Sequence, residues 1–182
     1  NCSDVSEIVA GSHDGRRHLP ELLVLWGFPT KGTRMSDDYA NDVLVSADWV
    51  EAHLEEFQSD DPEYRLVEVN NPTVTDESEY TPYEAGHPPG AIFFDWDEDL
   101  SDQQTRDILD KEEFAELNGE AGITEDSTVV LYGDGHVPNW FALFAYWEYK
   151  YFGHEDVRVL NGGKPYWVDN DYPLTTDVPD FS

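Results

Sequence analysis

Cysteine is almost missing from this 182-residue chain, with Cys2 the only one. That excludes a disulfide framework and a cysteine-based zinc site. Basic residues are scarce, 10 lysines and arginines against 40 aspartates and glutamates. So few cations cannot neutralise a phosphate backbone or an anionic membrane surface, which excludes nucleic acid and membrane as partners. Long apolar runs are also lacking. The stretch from Leu19 to Phe28 is broken by Glu21, and no small-residue cleavage site follows it. Nothing reaches the ~20 residues needed to span a bilayer. The expected location is cytoplasmic.

Aromatic residues, by contrast, are plentiful: 6 Trp, 10 Tyr and 9 Phe. Acidic disordered chains are poor in such residues, so the formal charge of -30 is expected on the surface of a folded protein. A charge of this size makes the compact state repel itself at low ionic strength. In about 1 M salt the Debye length falls to roughly 3 Å and the repulsion is screened. The composition resembles that of haloarchaeal proteins and suits a halophilic cytoplasm.

The charge is unevenly placed. Residues 1–34 carry Arg16, Arg17, Lys31 and Arg34 against Asp4, Glu7, Asp14 and Glu21 and are neutral overall. All the excess acid lies beyond them. The only methionine, Met35, opens the acidic part as Met35-Ser36-Asp37-Asp38. Residues 1–34 are therefore expected to be a non-native leader or an N-terminal arm, and residues 35–182 the domain proper.

Within that domain, short β-rich runs alternate with helical patterns, predicting an α/β fold with a largely parallel sheet. The expected strands are Val43–Val45, Tyr64–Val69, Ala91–Phe94, Thr128–Tyr132 and Val157–Leu160. Ser46 is expected to cap a helix from Ala47 to about Phe57, with Trp49, Val50 and Leu54 on its buried side. Leu100–Leu109 and Lys111–Ala121 read as helices, the second capped by Asp110 and stopped by Gly122. Trp140–Phe152 reads as a helix whose row Trp140, Phe141, Phe144, Trp147 and Tyr151 is expected in the core.

Three segments in order carry a family resemblance. Tyr83-Glu84-Ala85-Gly86-His87-Pro88-Pro89-Gly90-Ala91 resembles the G-H-I-P-G-A signature of rhodanese domains. The strand Thr128–Tyr132 runs into a loop and a helix, where that family places its active-site loop. Gly153-His154-Glu155-Asp156-Val157-Arg158-Val159-Leu160-Asn161-Gly162-Gly163 resembles the family's G-H-x-x-V-x-x-L-D-G-G segment. The resemblance runs from about Val43 to Pro179. Trp96, Arg106-Asp107-Ile108-Leu109-Asp110, Gly133-Asp134 and Tyr172-Pro173-Leu174-Thr175-Thr176 resemble the first domain of tandem thiosulfate sulfurtransferases in particular. The resemblance implies a rhodanese-like fold, a mostly parallel sheet with helices on both faces.

It also implies a chemistry. In active rhodaneses a cysteine follows the central strand, in a curl of backbone N–H groups that opens into a helix N-terminus. Such a cradle favours an anion and lowers the thiol pKa. The thiolate takes the outer sulfur of thiosulfate as a persulfide, and cyanide or a thiol removes it. Here the segment is Gly133-Asp134-Gly135-His136-Val137-Pro138-Asn139-Trp140, without cysteine. Asp134 either sets its carboxylate in the thiolate's place, capping the helix and repelling anionic substrate, or is a turn or N-cap residue like Asn139. His136 has no serine or cysteine near it in sequence to activate.

His87 is expected to order its turn by bonding the backbone, against the competing reading of a catalytic or metal-binding histidine. Gly90, Gly162 and Gly163 are expected in tight turns. No His, Asp and Glu spacing predicts a metal site, and no cofactor is implied. The tandem resemblance implies a non-catalytic N-terminal domain whose partner is a second, catalytic rhodanese domain, in the same chain or another. Asn70, Asn71, Asp134, His136 and Asn139 would then line the shared pocket or interface. The alternative is a stand-alone, inactive rhodanese module that binds a protein or an anion.

Overall fold

The computed structural model of the chain describes residues 43–73, 82–105, 107–135 and 137–181. The segment 1–34, its boundary at Met35, Cys2 and His136 lie outside the described residues. Five strands form one sheet: β1 (Leu44–Val45), β2 (Tyr64–Asn70), β3 (Ala91–Asp95), β4 (Thr128–Tyr132) and β5 (Val157–Leu160). Their order is β1-β5-β4-β2-β3 and every pairing is parallel. Parallel neighbours need crossover connections, and those supply α1 (Ala47–Ala52), α2 (Leu54–Phe57), α3 (Lys111–Glu120) and α4 (Trp140–Phe152), while α5 (Gly163–Asp169) follows the last strand.

Strand periodicity divides the core into two layers. Val67, Val69, Val129, Leu131 and Val157 face α3 and α4, meeting Phe114, Ala142, Ala145 and Tyr149. Leu66, Val130, Tyr132 and Leu160 face α1, α2 and α5, meeting Val50, Phe57 and Trp167. β4 lies at the centre with all five residues buried, each fully buried Val or Leu contributing roughly 1.5–3 kcal/mol. The expected α/β architecture, with helices on both faces, is what is found.

Three local expectations fail, each for a visible reason. The helix from Ala47 breaks at His53, whose Nδ1 lies 2.7 Å from the Trp49 carbonyl oxygen. An unbroken helix would pair that carbonyl with the His53 amide, which bonds Val50 O instead. The stretch Leu100–Leu109 holds no helix among its described residues. Asp102 Oδ1 accepts the Gln104 and Thr105 amides, a local bond that competes with helix formation. The chain then turns back so that Asp102 N donates to Asp107 O. Helix α5, for which the sequence carried no expectation, follows the double glycine, where Gly162 and Gly163 have φ of 86° and 61° as tight turns require, and Pro165 fits the first turn. Finally, the buried side of α4 is Ala142, Ala145, Glu148 and Tyr149. Trp140, Trp147 and Tyr151 are exposed, and Phe141 and Phe144 only partly buried. Small residues let the helix approach the sheet closely, so the large aromatics are turned out.

The expected strands, the Asp110 cap and the Gly122 stop are all present. Asp110 accepts the Glu113 amide and Glu113 reciprocates, a capping box.

Candidate functional site

In a parallel sheet the strand C-terminal ends share one edge, and loops that leave it gather there. Four of the residues singled out from sequence meet at this edge. Asn70, Asn71, Asp134 and Asn139 are all buried. Asn70 joins three strands: its carbonyl accepts the Trp96 amide at 2.8 Å, Oδ1 accepts the Asp134 amide at 3.0 Å, and Nδ2 donates to Glu68 at 2.8 Å. Asn71 Oδ1 accepts the Thr73 amide and hydroxyl, which bends the chain away from the sheet.

Asn139 closes the base of the loop that runs from Gly133. Its Oδ1 accepts the Gly133 amide at 2.9 Å and its Nδ2 donates to Leu160 O at 2.7 Å. The backbone there is left-handed, φ 63°, which asparagine tolerates better than other side chains. Asn139 occupies the N-cap position of α4 yet makes no capping bond with its side chain. Asp134 does not cap α4 either; its Oδ1 accepts the neighbouring Gly135 amide at 2.6 Å. Of the two sequence readings of Asp134, the part that had it capping the helix is corrected. A buried carboxylate in the loop remains.

Beneath the loop lies a set of residues that local sequence patterns did not reveal. Lys164 of α5 donates to both carboxylate oxygens of Glu68 at 3.0 and 3.1 Å, with both side chains fully buried. The Tyr132 hydroxyl donates to Glu68 at 2.8 Å. Burial pushes the Glu68 carboxyl up to about 7, and the Asp134 charge adds to this, while Lys164 and Tyr132 pull it down. Burial and the Glu68 charge hold the Tyr132 hydroxyl well above its ordinary range. The signal was a glutamate inside a valine-rich strand and a lysine straight after Gly162-Gly163, in a chain with few lysines.

Gly163 seals the seam between α5 and the loop. The Lys164 amide bonds Gly133 O at 2.9 Å, and a Cβ on Gly163 would stand 2.6 Å from that same oxygen. His87 lies elsewhere. Its ring stacks on Tyr83 at 3.8 Å, and its nitrogens lie 2.9 and 3.1 Å from the Tyr83 and Asp177 carbonyl oxygens. With its backbone paired to Thr175, it fastens the C-terminal segment, as a turn-ordering histidine does. A Cβ on Gly90 would strike the Phe57 carbonyl. Among the described residues no helix is long and apolar enough to cross a membrane.

The site can therefore hold a loop rigidly and place a buried carboxylate in it. The loop from Gly133 to Asn139 has no thiol to offer. Comparison with known proteins agrees with the fold. The model of the rhodanese-like domain matches residues 46–170. A Haloferax volcanii protein provisionally named a thiosulfate sulfurtransferase is 60% identical over 146 residues, 80% of this chain and 48% of that protein. The sulfur carrier protein TtuD of Thermus thermophilus is 46% identical over 140 residues, 77% of this chain and 44% of that one. The crystal structure of SseA from Escherichia coli, presented as a 3-mercaptopyruvate sulfotransferase of rhodanese fold, superposes with a TM-score of 0.62 at 30% identity. It covers 75% of this chain and 51% of SseA. The chain thus spans about half the length of the curated relatives it matches. With the family model matched over most of the described residues and the fold shared with SseA, the chain belongs to the rhodanese-like family.

Proposed function

We propose that residues 35–182 form the non-catalytic, N-terminal half of a thiosulfate sulfurtransferase, working in a salt-rich cytoplasm beside a second, catalytic rhodanese domain. The observation that carries this reading is the loop after β4, where the buried anion is the carboxylate of Asp134 rather than a thiolate. Sulfane transfer needs a thiolate that attacks the outer sulfur of thiosulfate, breaking its S–S bond and releasing sulfite. The persulfide sulfur then leaves with cyanide as thiocyanate, or with an acceptor thiol, and the thiolate returns. A carboxylate forms no persulfide. Asn70, Asn71, Asp134 and Asn139 then serve as one wall of a pocket whose nucleophile the second domain supplies.

The test is a thiocyanate assay in molar KCl. The chain alone should turn over no faster than its Cys2→Ser variant. Addition of the half of the Haloferax volcanii relative that this chain does not match should give activity exceeding that half alone. Turnover by the chain alone that disappears in Cys2→Ser would overturn the reading.

A further inference from the structure

We infer that the cavity between α3 and the C-terminal end of α4 takes a small zwitterion with an apolar side chain, of the amino-acid class. It lies at the opposite edge of the sheet from Asp134. The turn of Thr124 and Glu125 precedes β4, and Gly153 and His154 precede β5, so these lining residues sit where the strands begin. The inference is therefore independent of the proposed function. The cavity holds about 320 Å³, the low end of the ~300–1,000 Å³ of small-molecule sites, and suits a small ligand.

Its walls are mostly apolar. Lys111, Phe114, Ala115 and Asn118 fall three, one and three residues apart, on one face of α3. Phe152 stacks on Phe114 with ring centres 4.6 Å apart, and Tyr149 meets the same ring edge-on at 5.0 Å. Two polar groups in this lining have bonding capacity to spare. Buried Asn118 accepts the Tyr149 hydroxyl and donates to Phe114 O. A carboxamide offers two N–H bonds and two lone pairs, so one of each is unused. His154 Nε2 lies 2.8 Å from Ser127 O. A carbonyl only accepts, so Nε2 carries the proton, and Nδ1 of the neutral ring is an acceptor with no hydrogen bond.

The charges decide the class of ligand. In a chain with 40 acidic residues and 10 basic ones, cations are expected to be engaged. Arg158 pairs with Asp156 and Lys164 with Glu68, while Arg65 and Lys150 donate to backbone carbonyls. The Lys111 ammonium and the Glu125 carboxylate line the same cavity, and neither is bonded to the other or to any described residue. An unpaired ammonium and an unpaired carboxylate around an aromatic wall match the carboxylate, ammonium and apolar side chain of one small molecule. A simple anion would meet the field of a chain of charge -30, and a simple cation would meet Lys111. A zwitterion has no net charge for that field to oppose.

The experiment titrates the full chain in molar KCl with L-phenylalanine, followed by calorimetry and by amide NMR shifts. Saturable one-to-one binding is expected, with the shifts gathered at residues 111–118, 123–125 and 152–154. The same ring without the ammonium (3-phenylpropionate) or without the carboxylate (phenethylamine) should bind about tenfold more weakly, as loss of one charged hydrogen bond does. Lys111→Gln should weaken L-phenylalanine by about the same tenfold factor and leave phenethylamine unchanged. Ala115→Trp, which fills the cavity from an exposed position on α3, should abolish binding, while Tyr166→Ser on α5 should bind as the wild type does. Circular dichroism confirms that each variant is folded. The inference is overturned by an absence of saturable binding, by equal affinity for 3-phenylpropionate, or by an affinity that survives both Lys111→Gln and Ala115→Trp.

Discussion

Glu68 and Glu148 are both sealed from solvent, one on each side of the sheet, and their surroundings differ in kind. Glu68 meets a lysine, a tyrosine hydroxyl and an asparagine amide. Glu148 lies on the inner side of α4 with no hydrogen-bond partner of good geometry for either oxygen. Burial pushes each carboxyl up to about 7, with the Leu109 amide a lesser pull downward on Glu148. The same shift has two meanings. At Glu68 it is what remains after strong partners have offset much of the desolvation, and the group ties β2, β4 and α5 together beneath the loop. At Glu148 the desolvation is nearly unopposed, and the neutral acid is the form the fold accepts.

The largest expected effect comes from separating the buried pair. Lys164→Met leaves Glu68 without its cation, and a buried charge stripped of its partner typically costs about 3–5 kcal/mol. Urea unfolding in molar KCl should record that loss. The double variant Glu68→Leu/Lys164→Met should recover most of it, since an apolar pair of similar volume often replaces a buried ion pair with little penalty. A single variant within about 1 kcal/mol of wild type would break the comparison, because Glu68 would then need Lys164 no more than Glu148 needs a partner.

Glu148 gives a smaller effect with a definite pH dependence. Its folded-state pKa lies above the ordinary carboxyl value of 4.5, so between 4.5 and about 7 the folded chain binds more protons than the unfolded one. Stability must fall as pH rises through that window and level off above it. Glu148→Met removes the titrating group and fills the space with a flexible apolar side chain. It should gain about 2 kcal/mol at pH 8 and little near pH 4.5, read as the difference between two unfolding series. A gain independent of pH would mean that packing, and not ionisation, separates the two glutamates.

Much of this fold was legible in the sequence because strands and turns leave local marks. All five strands, the Asp110 cap and the Gly122 stop could be read from periodicity and turn chemistry. Asn70, Asn71, Asp134 and Asn139 were singled out through motif resemblance, and they do converge. The Glu68–Lys164 pair was not legible, since its members are 96 residues apart and no local period connects them. The Leu100–Leu109 stretch misled because its apolar spacing suited a helix while Asp102 captured the amides a helix needs. Helix α4 misled in the opposite sense. Periodicity finds a face and not its direction, and aromatic bulk was taken to point inward.

That reversal leads to the smallest expected effect. If Ala142 and Ala145 are what α4 presents to the sheet, then Trp147 contributes little to folding despite its size. Trp147→Ser should change stability by no more than about 0.5 kcal/mol, the usual range for a surface substitution. Ala145→Leu, one turn away from Tyr149 on the buried side, should cost about 1–3 kcal/mol by overpacking. Measured side by side, a small side chain that matters and a large one that does not would place the core of α4 on its alanine face. Equal losses would mean that Trp147 packs within this domain, and the sequence expectation of an aromatic core would be restored.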